Sequence, residues 1–530
     1  MGEVTRMLLC GLICGFALSL EARAGPIWSD YAGDAQHTAI SSVASQRLQT
    51  IRWQTPVDLA PQYSGNDLLI HYGSPLVTAA NTVVIPVKTG ATNGFEVDAR
   101  SGSNGALRWS QASDYILPPH DWTPSFSPAI TPAGRLYLPG AGGTVLWRDS
   151  VDAASGATGR IAFFGNASYA GNTAAYNSNV FINTPITSDA AGNIYFGYQV
   201  TGANPGNLSS GIARIAANGA GTFVSAASAA ADGSIAKVVQ NCAPALSADG
   251  TKVYIAVNRG DFQGGDLLAL DATTLATVGK VALKDAATGN DALLADDGTA
   301  SPTVGPNGDV YFGVLENPFP ANHDRGWLLH FSGDLTQQKT AGAFGWDDTA
   351  SIVPAAMVAS YTGSSTYLLM TKYNNYASVG GDGVNKIAIL DPNATEVDPI
   401  TGATVMREVM THAGVTPDAE FPGLPGAVRE WCINTAVVDP FTDSILANSE
   451  DGRLYRWSLA TNTFSEVIVL TPGLGEAYTP TIIGADGTVY AVNNATLFAV
   501  GDIPEPGTIG LAGLAILALA RRRRRAQTAD

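Results

Sequence analysis

Acidic, aromatic and cationic side chains gather on short segments, each just ahead of a small apolar strand that opens near a proline. They are His71 and Tyr72; His120, Asp121 and Trp122; Asn179; Gln240; Asp296 and Asp297; Trp346, Asp347 and Asp348; Arg429, Glu430 and Trp431; and Glu476 and Tyr478. Three of the nine Trp and two of the six His of the chain fall on them. Carboxylates accept hydrogen bonds or hold cations, a guanidinium takes an anion, and aromatic rings cover apolar faces. Around one concavity these groups make a site for a polar ligand. The ligand-facing set expected is His71, His120, Asp121, Trp122, Trp346, Asp347, Asp348, Arg429, Glu430, Trp431, Glu476 and Tyr478. The competing reading makes them rim turns and channel-filling side chains. No catalytic residue is assigned, and a metal site stays unassigned.

Other chemistry is thinner. Cys242 and Cys432 are the two thiols outside the N-terminal apolar run, which holds Cys10 and Cys14. Two cysteines cannot build a disulfide scaffold. They precede strands of units that are not neighbours, so buried free thiols are expected. His37, His323, His330 and His412 show no metal-ligand spacing. No Gly-x-Ser-x-Gly nucleophile elbow in a strand-to-helix setting and no P-loop is present.

The polar segments are spaced by a repeated phrase. A proline-containing start and a short apolar strand lead through a Gly turn to an apolar strand with Tyr. Ser127-Pro128-Ala129-Ile130 leads to Leu136-Tyr137-Leu138, Thr184-Pro185-Ile186 to Ile194-Tyr195-Phe196, and Ala243-Pro244-Ala245-Leu246 to Val253-Tyr254-Ile255. Ser301-Pro302-Thr303-Val304 leads to Val310-Tyr311-Phe312, and Thr479-Pro480-Thr481-Ile482 to Val489-Tyr490-Ala491. Weaker copies begin at Ser74-Pro75, Val353-Pro354 and Asn434-Thr435. A third strand ending in Asp and a turn, as in Leu267–Asp271, and a fourth, as in Ala106–Trp109, complete a four-stranded unit. Such a period signals a propeller or solenoid. One sheet cannot bury both its faces, so the units pack in a ring. The expected fold is all-β: an eight-bladed β-propeller, seven being possible, with four-stranded antiparallel blades. The last repeat lacks its fourth strand, and Ile51–Val57 has the look of one. The N-terminal strand is therefore expected to close the last blade. Between the sixth and seventh starts lies a long interval, with strands expected near Ile387–Asp391 and Val405–Met410 and a Pro- and Gly-rich run at Val415–Val428. That run is expected to rise beside Arg429.

These repeats, with the Leu270-Asp271-Ala272-Thr273 turn, resemble the pyrroloquinoline quinone (PQQ)-like, quinoprotein-type propeller superfamily. The opening Trp28-Ser29-Asp30-Tyr31 with Gly33–Thr38 resembles the leader of such proteins, so the likeness spans about residues 28–501. A PQQ enzyme of that family needs Ca²⁺ held by Glu, Asn and Asp, a catalytic Asp, and basic residues for the cofactor carboxylates. Arg429 is the evident cation on the proposed mouth segments, and the adjacent cysteines that stack on the quinone in some members are absent. No cofactor is expected; Ca or PQQ belongs to an alternative reading as a dehydrogenase.

The two ends read as addresses. Residues 1–24 have the form of a secretory signal: Arg6, the apolar run Leu8–Leu20, and a small–x–small cleavage site at Ala22 and Ala24. At the other end Pro504, Glu505 and Pro506 are followed by an apolar stretch over 507–520 and by Arg521, Arg522, Arg523, Arg524 and Arg525. The apolar stretch can enter a bilayer and the arginines hold the cytoplasmic side. The order resembles the PEP-CTERM sorting signal of Gram-negative bacteria. That resemblance implies an exosortase-type processing enzyme as partner, transient residence in the inner membrane, and export to the cell surface or extracellular matrix. The propeller domain is thus expected over 25–502 and the signal over 503–525.

Composition agrees. Only 14% of residues are charged, against 45% hydrophobic, and the formal net charge is -17. The ends hold Arg6, Arg23 and five tail arginines against Glu3, Glu21 and Asp530, so the body is more acidic than the whole chain. Such a body does not bind nucleic acid by counterion release. The expectation is an exported, surface-displayed or matrix-associated binding module that uses its mouth loops, with an envelope protein or exopolysaccharide as partner. The alternatives are a propeller enzyme or an envelope assembly scaffold.

Overall fold

A computed structural model describes residues 25–503, apart from 65, 66, 70–72, 92, 120–125, 297, 299, 474 and 476. Its strands form eight blades around a channel, as the repeat predicts. Blade 1 runs Leu76–Val77, Thr82–Lys88, Phe95–Ser101, Leu107–Ser113. Blade 2 runs Ala129–Ile130, Leu136–Pro139, Thr144–Arg148, Thr158–Ala162. In blades 3 and 4 the inner strand is in two pieces on one partner: Val180–Ile182 and Thr187–Ser188, then Lys237–Val238 and Ala245–Leu246. The prolines between the pieces explain the interruption, since they lack the N–H that a ladder needs. Blade 5 has three full strands, Thr303–Val304, Val310–Val314 and Trp327–Phe331, and an outer edge reduced to bridges at Gln338 and Gly342. Blade 6 opens with Ser351–Pro354, so its proline ends the inner strand rather than beginning it. Blade 7 opens at Val437–Asp439 and blade 8 at Ile482–Ile483.

The ring closes as expected. Thr50–Pro56 pairs antiparallel with Thr496–Gly501, with Trp53 opposite Ala499 and Gln54 opposite Phe498. Trp53 lies where a Cβ on Gly105 would stand, 2.7 Å away, and Gly105 adopts φ +71°; only glycine suits that turn.

The repeated tyrosine explains how neighbours hold together. From the second strand of one blade its hydroxyl reaches the turn between strands three and four of the next. Tyr195 donates to the Ala272 carbonyl at 2.9 Å, Tyr254 to Gly333 at 2.6 Å and Tyr490 to Gly102 at 3.3 Å. The ring fills the space between sheets, and the hydroxyl satisfies a turn carbonyl.

Residues 27–41 form a stopper across one end of the channel. They bond in turn to Val77, Ile130, Leu246, Val304, Ile352 and Val438, residues of the inner strands of blades 1, 2, 4, 5, 6 and 7. Asp30 accepts from the Ser188 N–H of blade 3 at 2.7 Å, and Gln46 N–H bonds to Gly487 of blade 8. Tyr31 points up the channel to Asn434 Oδ1, 2.5 Å away, and His37 Nδ1 meets the Pro302 carbonyl at 2.7 Å. Burial raises the Asp30 carboxyl to about 7 and lowers His37 to about 4. The opposite end, where the inner strands begin, carries the connections between blades, including the helices Asn166–Gly171, Thr173–Asn179 and Ala226–Ala230.

The long interval of blade 6 folds as a bent hairpin, Lys386–Val397 and Thr404–Ala413, broken between Asp391 and Thr395. Its tip docks on blade 5. Asp398 takes both oxygens to Arg325 Nη2, at 2.8 and 3.0 Å, in a pair closed off from water. Among the described residues no helix is long and apolar enough to cross a membrane. The leader 1–24 with Ala22 and Ala24, and the segment from Pro504 through Arg525 with its expected span 507–520, lie outside the described residues.

Candidate functional site

Three inter-blade connections meet at the open end: those entering blades 6, 7 and 8. Asp347 and Asp348 end the connection to blade 6, and Asp347 sits at φ +55°, a left-handed position that Asp tolerates. Its Oδ2 faces Lys372 Nζ at 3.3 Å. Lys372 stands in the second strand of blade 6, Tyr367–Tyr373, and is 1% exposed. Its ammonium lies 5.7 Å from the Tyr478 ring centre and 5.8 Å from that of Phe344. Burial alone would discharge the ammonium; Asp347, Cys432 and Asp348 reverse that and hold it above the usual lysine range. Asp348 accepts from the Thr371 hydroxyl, and burial raises its carboxyl to about 7.

Beside this pair, Arg429 Nη1 is held by three carboxylates: Glu420 at 2.8 Å, Asp418 at 3.3 Å and Glu450 at 3.4 Å. The run Val415–Val428 therefore folds onto Arg429 through Asp418 and Glu420. Cys432 donates its S–H to Glu450 Oε2 at 3.1 Å. Burial, with the charges of Glu420 and Asp418, lifts Glu450 to about 7 against the pull of Cys432 and Arg429. The ligand atoms of Glu430, Cys432 and Glu450 lie within 4.8 Å of one another. Asn374 ties the segment down, accepting from Trp431 N–H at 3.1 Å.

The structure thus brings together Asp347, Asp348, Arg429, Glu430 and Tyr478 of the expected set. Trp346 is half-buried against a small cavity that Asp347 also lines. Trp431 is corrected: it is 1% exposed and packs edge-on against Tyr455, 5.3 Å away, as core rather than lining. Its large apolar ring follows the buried side of the segment. His71, His120, Asp121, Trp122 and Glu476 lie outside the described residues. Both thiols, Cys242 and Cys432, are free and buried. Asp296, the other carboxylate of the blade 5 connection, pairs with Lys237, also an inner-strand residue.

Sequence reasoning missed Lys372 and Glu450. Lys372 had a signal, a lone cation in the otherwise uncharged strand Tyr367–Tyr373, but it lies on a second strand rather than an entry segment. Glu450 lies in the turn after Ser444–Asn448 and only folding brings it to Cys432. Gln240 gained weight: it is wholly buried and neither its Oε1 nor its Nε2 has a hydrogen-bond partner.

The described mouth does not suit a tricarboxylate such as PQQ. Lys372 and Arg429 are already neutralised by carboxylates, and Glu430 adds a further acidic group beside them. Calcium takes oxygen ligands, whereas the group of Glu430, Cys432 and Glu450 is two carboxylates and a thiol.

The comparisons with known proteins agree with this division between a clear fold and an individual site. A family model described as the PEP-CTERM protein-sorting motif matches residues 502–525. No curated protein matches the sequence. Among solved structures, the fold is similar to a europium-containing methanol dehydrogenase, with a TM-score of 0.52 and 9% identity over 88% of this chain and 90% of that one. It is similar to the quinohemoprotein alcohol dehydrogenase of Comamonas testosteroni, with a TM-score of 0.52 and 11% identity over 92% and 82%. Sqt1 of Saccharomyces cerevisiae gives a TM-score of 0.50 and 11% identity over 87% and 100%. At such identities the likeness is one of fold. The chain folds as an eight-bladed β-propeller and carries at its C-terminus a PEP-CTERM sorting motif, a signal that indicates export and exosortase-type processing.

Proposed function

We propose that this protein is a non-enzymatic binding module, displayed at the cell surface or in the extracellular matrix, which takes a polar partner at its open mouth. The carrying observation is the asymmetry of the channel: the leader 27–41 stoppers one end, while long connections and the Lys372 and Arg429 clusters occupy the other. A partner that uses the channel approaches from the mouth. The excess of carboxylates there favours hydroxyl-rich or cationic groups over anions. An exopolysaccharide segment or an envelope protein fits that chemistry.

The test is titration of the body, residues 25–503, with neutral and cationic oligosaccharides by calorimetry, with Asp347→Asn and Tyr478→Ala as mouth variants. Saturable binding that both variants weaken supports the reading. Binding that neither variant alters, or its absence across neutral and cationic oligosaccharides and envelope extracts, overturns it. Incubation with Ca²⁺ and PQQ is the control for an enzyme: a rise in Tm together with dye reduction by alcohols or sugars would replace the binding reading with the dehydrogenase one.

A further inference from the structure

The chain leaves the propeller at its stoppered face. The strand Thr496–Gly501 runs from the mouth toward that face, and Gly501 pairs with Thr50, the first residue of the closing strand. The next two residues are clasped by residues 46–49, between the stopper and the closing strand. Asp502 N–H donates to Gln46 Oε1 at 3.0 Å, and Ile503 N–H donates to Gln49 Oε1 at 3.2 Å. Arg47 N–H returns a bond to Asp502 Oδ1 at 3.2 Å. The clasp holds the first two residues matched by the sorting motif, which runs 502–525. Between Ile503 and the apolar stretch from Gly507 stand only Pro504, Glu505 and Pro506. Fully extended, that reach is about 13 Å.

We infer that, while the C-terminal segment is inserted, the stoppered face is the surface turned to the lipid bilayer, and the open mouth faces away from it. The inference rests on the sorting reading of the tail. A link of that reach is too short to let the body turn over, and the clasp fixes where it starts. The carboxylates of that face oppose adhesion to anionic headgroups, and its cations Arg47 and Arg135 are paired with Glu466 and Asp149. Its turns carry Asp189, Asp249, Asp334 and Asp486, and the hydroxyls of Ser247 and Ser332 hold Asp249 and Asp334 down at about 2, fully ionised. The tail alone therefore holds the body at the membrane, and cutting it near Pro504–Pro506 releases the body without a second attachment to break. The mouth stays accessible to a partner before and after cutting.

The experiment uses the chain from Gly25 to Asp530 in vesicles of phosphatidylethanolamine and phosphatidylglycerol containing brominated lipid. Single cysteines are introduced on each face for a fluorescent label, Ser103→Cys on the stoppered side and Ala287→Cys on the mouth side. Both positions are exposed, and the native thiols are buried. The expected result is several-fold stronger lipid quenching at the Ser103→Cys label, with neither label quenched in a chain ending at Ile503. The double variant Gln46→Ala/Gln49→Ala should float with the vesicles and narrow the difference. Equal or reversed quenching in a chain that floats overturns the orientation. A chain that does not float overturns the sorting reading beneath it.

Discussion

Lys372 shows how far a single side chain depends on its surroundings. A lysine closed off from water is stable only beside carboxylates, and Asp347 supplies the contact. Removing the ammonium takes the buried cation away from that carboxylate, which costs about 3–5 kcal/mol. Lys372→Met should lower the unfolding free energy by that order, and adding Asp347→Asn should recover most of it; a denaturant-melt double-mutant cycle measures both. The raised carboxyls make a second prediction. Asp30, Asp348 and Glu450 each titrate near 7, principally because they are buried. Folding favours their protonated forms, so this stability is complete below about 4, the unfolded carboxyl range, and is lost as the pH rises through 7. His37 has the opposite sign: its contribution is present above the unfolded histidine value and is lost as the pH falls through about 4. Asp30→Asn should therefore gain stability over the native chain between pH 5 and pH 8, by on the order of 2 kcal/mol. Thermal melts of both chains at the two pH values test it.

At the level of elements, the tyrosine of the second strand is the recurrent joint. Tyr254 fills the seam between blades 4 and 5 and donates to the Gly333 turn. Tyr254→Phe should cost about 1–2 kcal/mol, because it strands the Gly333 carbonyl without removing the ring. Tyr254→Ala should cost about 3–5 kcal/mol, since it opens a cavity as well. Equal losses for the two variants would show that the ring contributes little. The bent hairpin is a second joint. Its two strands are expected from the sequence, but not the contact of its tip, where Asp398 closes the pair with Arg325 against blade 5, whose own outer strand is reduced to bridges. Asp398→Asn should destabilise the chain by about 3 kcal/mol, read from the denaturation midpoint.

For the whole molecule, the N-terminal segment does two jobs. Thr50–Pro56 supplies the missing strand of blade 8, and residues 27–41 bond to the inner strands around the channel. A chain begun at Pro56 should lose the cooperative melt of the ring, with an unpaired edge at Thr496–Gly501. A chain begun at Ser42 keeps the closing strand and should remain folded, but with its channel open at both ends. Circular dichroism and hydrogen exchange at the inner strands distinguish the two outcomes.

By itself the sequence determined a ring of repeated four-stranded sheets, eight or seven of them, with their order, the closing strand and the sorting motif; the structure decided on eight. Each rests on a local signal: prolines that interrupt ladders, Gly and Asp turns, a tyrosine once per repeat, and an apolar stretch bounded by prolines and arginines. It also marked Asp347, Asp348, Arg429 and Glu430 as residues of one mouth, because a ring brings equivalent segments together. Only the tertiary structure decided which groups face one another there. Lys372 and Glu450 are distant in the chain from the carboxylate and thiol they meet, Trp431 turns into the core by its apolar bulk, and the leader seals one end through backbone bonds that carry no sequence signature. Pairings between blades depend on closure of the whole ring, and no local pattern of residues encodes the distance across it.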